Sequence, residues 1–309
     1  MGRRYRITHV TTYSYTGGDV TGSLGTFHLR PRNLPWQQVT EHNVTVSPQA
    51  AQRATRVDLY GNSCTNFHVV EPHAELVITA VTDCEVSTVE PPPDAMIRPW
   101  EEFRLRRGDD VEVEARPDDD HGWEAYDFLL ASPRISLPAE AHTYAATSFT
   151  PGRPAGEALI DLLHRIHDEF EYESGSTTVT TSVEEVLTAR HGVCQDFAQV
   201  MISCLRTQGM AARYVSGYLA TVPPPGRPRL VGADASHAWV AVWLPGTTDR
   251  PGFWWHLDPT NDRPCDESHA TVAWGRDYGD VAPVRGIIWT TSSKSSMKVS
   301  VDMAPLPLG

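Results

Sequence analysis

The segment Arg190-His191-Gly192-Val193-Cys194-Gln195-Asp196-Phe197-Ala198 restricts its own fold more than any other stretch of the chain. A glycine precedes a cysteine, and an apolar-periodic run follows. Phe197, Val200, Met201, Cys204 and Leu205 recur at three- and four-residue steps. That spacing predicts a helix with one apolar face, opening at Cys194 and stopped by Gly209. The first turn of a helix carries unpaired N–H groups and a partial positive charge, and both favour a thiolate over a thiol. Cys194 therefore stands where a nucleophile would be placed. A buried structural thiol fits the same stretch equally well.

Two later stretches bear on that choice. Ser236-His237-Ala238-Trp239-Val240-Ala241-Val242-Trp243 reads as a strand by its β-branched and aromatic content, and its His237 can serve as a base. Phe253-Trp254-Trp255-His256-Leu257-Asp258-Pro259-Thr260 reads as a second strand, and its Asp258 can orient that base. Cysteine, histidine and aspartate in this order supply nucleophile, base and orienting group. Taken together, Gly-Val-Cys-Gln-Asp-Phe-Ala, His-Ala-Trp-Val and Leu-Asp-Pro-Thr resemble, in order and spacing, the transglutaminase-like cysteine enzymes of the papain-like clan. The resemblance implies an α+β papain-like core, with the nucleophile helix packed on an antiparallel sheet. It also implies Cys194, His237 and Asp258 as a catalytic triad. His191, close to Cys194, and His256, on the same strand face as Asp258, are rival bases that do not match the family's histidine motif.

The chemistry expected from the triad is acyl transfer through a thioester on Cys194, with His237 moving the proton. The backbone N–H of Cys194 is one natural oxyanion donor. The other candidates for oxyanion donation or cleft lining are Gln195, Tyr214, Trp239, Arg276 and Tyr278. Arg276 offers a fork for a carboxylate, although an Arg–Asp pair inside the turn Gly275-Arg276-Asp277-Tyr278-Gly279-Asp280 fits at least as well. The expected activity is hydrolysis of peptide or isopeptide amides, since no feature points to an amine-acceptor site. Amine transfer by a protein-glutamine gamma-glutamyltransferase, or a non-catalytic peptide-binding module on the same fold, are the alternatives.

Length and charge narrow the partners. The 309 residues suffice for two domains. A net charge of −13 opposes nucleic acid or an anionic membrane as a general partner, which leaves a peptide or protein substrate. No run of about 18 apolar residues occurs, and Ile7-Thr8-His9-Val10-Thr11-Thr12 after the basic start reads as a strand, not a signal peptide. Five scattered cysteines form no disulfide framework, so the expected compartment is the cytoplasm. Cys64 and Cys84 are open to a disulfide if on neighbouring strands, with two reduced buried thiols the stronger expectation. The sequence does not give the oligomeric state.

The division expected along the chain is a β-rich domain over residues 1–90, a connecting segment over 91–150, and a catalytic domain over 151–309. β-Branched runs at Val39–Val46 and Ala74–Val81, punctuated at Gly17-Gly18, Asn33, Pro48 and Tyr60-Gly61-Asn62, predict a β-sandwich. Leu29-Arg30-Pro31-Arg32 and Tyr60-Gly61-Asn62 resemble the β-rich region that precedes the core in a bacterial branch of the family, and the Gly275–Val281 stretch resembles one seen late in that branch. The run Glu90-Pro91-Pro92-Pro93 marks a boundary. The acidic stretch Asp109–Asp120 lacks the spacing and turn glycine of a calcium loop and reads as solvated. No metal site and no cofactor are expected. Residues 123–137 are expected to pack on the core. Apolar spacing predicts a helix from Ala155 to Glu169, with His164 and His167 as surface residues. Ser182 and Glu185 fit a capping box opening a short helix that leads to Cys194. The proline-rich loop 222–232 fits either a flap over the cleft or a surface excursion. Residues 287–301 read as one closing strand, with a mobile tail from Ala304 to Gly309.

Overall fold

A computed structural model describes residues 2–105, 122–221, 235–246 and 251–307. The acidic stretch and the proline-rich loop lie outside the described residues. The chain opens with six strands, β1 (Arg3–Thr16), β2 (Val20–Phe27), β3 (Gln37–Ser47), β4 (Gln52–Val57), β5 (Ser63–Val69) and β6 (Glu75–Val86). Short helices α1 (Pro93–Ile97), α2 (Gly122–Asp127) and α3 (Ala139–Ala146) follow, and then α4 (Ala155–Glu169). The chain continues through β7 (Glu171–Tyr172), α5 (Val183–Ala189), β8 (His191–Gly192), α6 (Cys194–Thr207), β9 (Ala212–Leu219), β10 (Ala235–Leu244), β11 (Phe253–Asp258), β12 (Arg263–Pro264), β13 (His269–Gly275) and α7 (Tyr278–Val281). Two long strands close the chain, β14 (Val284–Thr290) and β15 (Lys294–Leu306).

Two four-stranded sheets, ordered β15-β1-β6-β3 and β14-β2-β5-β4, form the sandwich. The period-two pattern of β1 turns Tyr5, Ile7, His9 and Thr11 inward while Arg6 faces out, as one buried face demands. Phe27, Leu29, Phe67, Val69, Leu76 and Ile78 fill the space between the sheets. The third sheet, β12-β11-β10-β9-β13, is antiparallel, and every residue of β9 is buried because both faces of that strand are covered. Helix α6 packs on this sheet. Its apolar face joins one core with Leu159, Leu162, Val240 and Val242, and also with Tyr5, Ile7, Val301 and Met303 of the sandwich. The sandwich and the core thus share buried surface.

The unit built around the third sheet does not run to the C-terminus, which corrects the expected 151–309 boundary. Strand β14 pairs with β2 and β15 pairs with β1 along its whole length, so residues 284–306 complete the sandwich. The closing strand over 287–301 is therefore two strands in two sheets. The tail is also ordered further than expected, since Ala304, Pro305 and Leu306 pair with Arg6, Tyr5 and Arg4. The physical reason is the length of β1, whose outer edge would otherwise present a row of unpaired N–H and C=O groups. Cys64 and Cys84 are buried free thiols on β5 and β6, which belong to different sheets.

In the connecting segment Trp100, Phe103, Phe128, Leu129 and Ile135 are buried against the core, whereas Tyr126 and Leu130 are exposed. The two N-terminal motifs meet each other and strand β13 of the third sheet. Arg32 Nη1 donates to the Tyr60 carbonyl (3.0 Å) and to Asn62 Oδ1 (2.6 Å), and the Arg32 guanidinium lies 3.5 Å over the Trp274 ring. Asn62 Nδ2 donates to the Trp274 carbonyl at 2.8 Å, and the Trp274 N–H donates back to Asn62 Oδ1 at 3.0 Å. These bonds splice the Gly61 turn, whose φ of 76° suits glycine, onto β13.

Candidate active site

The approach to Cys194 is built in short steps. Ser182 caps α5, accepting from the Glu185 N–H at 3.3 Å, while Glu185 Oε2 accepts from the Ser182 N–H at 2.7 Å, as the capping box predicts. Arg190 ends that helix in the left-handed region (φ 59°), with its guanidinium over Phe170 and Tyr144. Strand β8 then pairs in parallel with β7, matching His191 to Glu171 and Gly192 to Tyr172. Asp196, in the first turn of α6, reaches back: its Oδ2 accepts from the Val193 N–H at 2.8 Å and from Thr177 Oγ1 at 2.6 Å. Burial pushes the Asp196 carboxyl above its usual range. Gly192 lies against it, so close that a Cβ there would stand 2.8 Å from Asp196 Oδ2 and 2.9 Å from its Cβ. Cys194 emerges half-buried as the first residue of α6.

The other two candidate residues, His237 and Asp258, come from the sheet. His237 lies on β10, opposite Gly217 of β9, and is 6% exposed. Its Nε2 donates to Asp258 Oδ2 at 2.7 Å. Asp258, the last residue of β11, is fully buried. Its Oδ2 also accepts from Asn261 Nδ2 (2.7 Å) and His269 Nε2 (3.1 Å), and its Oδ1 from the N–H groups of Thr260 (3.0 Å) and Asn261 (3.3 Å). Burial works against an ionised Asp258, but the hydrogen bonds from His237 and His269 outweigh it and hold the carboxyl well below its ordinary value. Burial likewise works against a charged His237. The Asp258 hydrogen bond and the contact with the Cys194 sulfur overcome it and raise His237 to about 9. With Nε2 committed to Asp258, Nδ1 is the ring nitrogen left for the sulfur.

The rival bases are placed elsewhere. His191 Nδ1 faces Glu173 at 3.5 Å. His256 Nδ1 accepts from Trp239 Nε1 at 2.9 Å, its ring lies edge-on to Trp36, and burial pushes it well below its usual value, so it is neutral and occupied. The same bond commits the Trp239 indole N–H, so Trp239 backs the site and has no donor to offer an oxyanion; its ring lies 6.1 Å from that of His237. Arg276 is not a free fork. Its Nε and Nη2 bind both oxygens of Asp280 at 3.0 Å, and its backbone N–H adds a third bond at 2.9 Å. Tyr214 is buried, meets Tyr278 edge to face at 6.3 Å, and has its hydroxyl pushed well up by burial and by the nearby Cys194. Gln195 is buried at the second position of α6. The surface histidines of α4 touch the loop after Asp258: His164 Nδ1 meets Asp262 Oδ1, and His167 Nδ1 donates to the Thr260 carbonyl at 3.0 Å. Among the described residues no group of three or more His, Cys, Asp or Glu side chains could hold a metal ion, and no helix is long and apolar enough to cross a membrane.

Residues 143–259, which include Cys194, His237 and Asp258, match the transglutaminase-like superfamily, and residues 5–85 match the bacterial transglutaminase-like N-terminal region. The chain belongs to the transglutaminase-like superfamily. Uncharacterized proteins of Mycobacterium tuberculosis and Mycobacterium bovis are 47% identical to this transglutaminase-like chain over 310 residues, covering 98% of it and 93% of their own length. A cysteine-protease candidate from Cytophaga hutchinsonii shares the fold, with a TM-score of 0.69, 18% identity and 98% of each chain covered. A protein-glutamine gamma-glutamyltransferase of Pseudomonas aeruginosa is 30% identical over 128 residues, which is 35% of this chain and 18% of that protein.

Proposed function

We propose that this transglutaminase-like chain is a cysteine-dependent acyl-transfer enzyme that hydrolyses peptide or isopeptide amide bonds. The observation that carries the reading is the placement of His237, with Nε2 on a fully buried Asp258 carboxylate and with Cys194 near enough to help raise its proton affinity. In the proposed reaction the Cys194 sulfur, its proton passed to His237 Nδ1, attacks the carbonyl carbon. The C–N bond breaks as the His237 imidazolium gives that proton to the leaving amine. A thioester on Cys194 remains. Water, losing a proton to His237, attacks the thioester, and the acid leaves as the thiol is restored. Asp258 fixes the imidazole tautomer and stabilises the imidazolium. The Cys194 backbone N–H, at the open end of α6, is our candidate for one oxyanion donor, and Tyr214, beside the sulfur, is our candidate for lining the cleft.

The likeness to the Pseudomonas gamma-glutamyltransferase favours a second reading, in which an amine resolves the thioester. One assay separates them. Purified protein is given a library of peptide amides and glutamine-containing peptides with and without a primary amine, and the products and any acyl adduct on Cys194 are read by mass spectrometry. Hydrolysed product that is insensitive to added amine supports the first reading, and amine-coupled product supports the second. Turnover unchanged in a folded Cys194→Ala protein would overturn both. We place the chain in the cytoplasm, on the odd number and scattered spacing of its five cysteines.

A further inference from the structure

The residue that Asp258 shares with His237 has no role in the reaction as proposed. His269 opens β13, is 3% exposed, and donates from Nε2 to the same Asp258 oxygen at 3.1 Å. Its other nitrogen, Nδ1, lies 3.1 Å from Asp266 Oδ1. A buried imidazole with a carboxylate oxygen at each nitrogen satisfies both only when both nitrogens carry protons. The site is therefore a chain of four alternating groups, His237, Asp258, His269 and Asp266, and its outer carboxylate reaches the surface with a third of its side chain exposed. We propose that His269 is a positioning residue of this site, held as an imidazolium between Asp258 and Asp266, and that its charge limits how tightly His237 keeps its proton. The inference rests on reading Cys194, His237 and Asp258 as the reacting set.

The chemistry gives such a residue a purpose. Asp258, with no solvent around it, attracts a proton on His237 strongly, and an imidazolium held too firmly is a poor acid toward a leaving amine. A second cation, with its ring 6.4 Å from that of His237, opposes that attraction while the His237–Asp258 hydrogen bond stands at 2.7 Å. The groups facing His269 are Asp258 from β11, Asp266 from the preceding loop, His237 and the Trp239 ring from β10, and neutral His256 from β11. Beyond them Arg263 binds Asp266 Oδ2 at 3.0 Å, and Glu267 pairs with Arg3. Competing for Nδ1 are the Asp266 backbone N–H at 3.2 Å and Ser268 Oγ at 3.3 Å, so the alternative is a neutral ring that accepts there. The two flanking carboxylates favour the charged ring: burial works against its charge, and the bonds to Asp258 and Asp266 overcome it.

Histidine-ring NMR of the full chain, titrated through neutral and alkaline pH, tests this in wild type, His269→Gln and Asp266→Asn. The account predicts that both nitrogens of His269 are protonated at neutral pH. It predicts that His237 titrates about one pH unit higher in His269→Gln, because a like charge has gone. Asp266→Asn leaves the contact with Asp258 in place but frees His269 to become neutral, so the shift has the same direction and is smaller. It also keeps the test alive if His269→Gln does not fold. A neutral His269 ring in wild type, or an unmoved His237 midpoint in the folded variants, overturns the proposal; a purely structural role would leave that midpoint where it is. Alkylation of Cys194 that ignores His237→Ala is a separate failure, because it breaks the reading of the reacting set itself.

Discussion

The two ends of the site are built by opposite rules. At the acid–base end, Asp258 is wholly enclosed and held by side chains from β10, β13 and its own turn, together with two backbone N–H groups. At the nucleophile end, Cys194 is half-buried and stands at the start of a helix, steadied from behind by Asp196 and Gly192. A charge removed from water needs many donors to stay ionised, whereas a sulfur that must meet a carbonyl needs access. In the proposed reaction, rigidity is concentrated where the proton would be managed and openness where the bond would form.

Substitutions at the two ends should therefore fail differently. The largest effect is expected from Cys194→Ala, which should abolish turnover, by roughly 10⁴-fold or more, with thermal unfolding and circular dichroism close to wild type. A large loss of stability instead would mean that the sulfur is held as tightly as the carboxylate. Asp258→Asn should lower kcat by about 10³- to 10⁴-fold, since the amide cannot fix the His237 tautomer, and should also destabilise the fold because it strands donors around a buried position. That double loss, read by kinetics and chemical denaturation together, is the mark of the enclosed end. Gly192→Ala should slow alkylation of Cys194 about 10-fold, since the added Cβ meets Asp196 at 2.8 to 2.9 Å and must displace the cap behind the nucleophile.

A further effect is one of pH. His237 is raised from 6.5 to about 9 in the folded chain, so its contribution to stability is complete below about 6.5 and is lost as the pH rises through about 9. The free energy of unfolding, read by chemical denaturation, should fall across that window by about 1–3 kcal/mol in wild type and remain flatter in His237→Gln. Asp258 acts in the other direction: its depressed value contributes stability above the unfolded carboxyl range and loses it on strong acidification. A wild-type curve as flat as that of His237→Gln would break the contrast drawn between the two ends.

What the sequence made legible follows the same division. The pairing of His237 with Asp258 was readable because each lies in a local motif whose chemistry depends on residue type, and the start of α6 at Cys194 because an apolar period opens there. The bounds of α4 and the Ser182–Glu185 box were readable because helical period and capping are local rules. His269 and Asp266 carried no such signal. A lone histidine after Glu267-Ser268 has no spacing relation to Asp258, and only the pairing of β13 with β9 brings the two together. Asn261 was nearer to hand, three residues past Asp258, but in sequence a turn asparagine looks the same whether or not it holds a carboxylate. The Arg276 fork was answered by Asp280, four residues along, and the Trp239 donor by His256 of the neighbouring strand. The return of β14 and β15 to the sandwich was hidden for a different reason. Strand partners almost 300 residues apart, such as Arg6 and Ala304, leave no trace in local periodicity.

The most direct measurement of the central claim is the rate of alkylation at each cysteine near neutral pH, read by mass spectrometry in wild type and in His237→Ala. The account predicts that Cys194 reacts much faster than Cys64, Cys84, Cys204 and Cys265, and that this advantage disappears without His237. A Cys194 that reacts no faster than the buried thiols, or equally fast in both proteins, would contradict it.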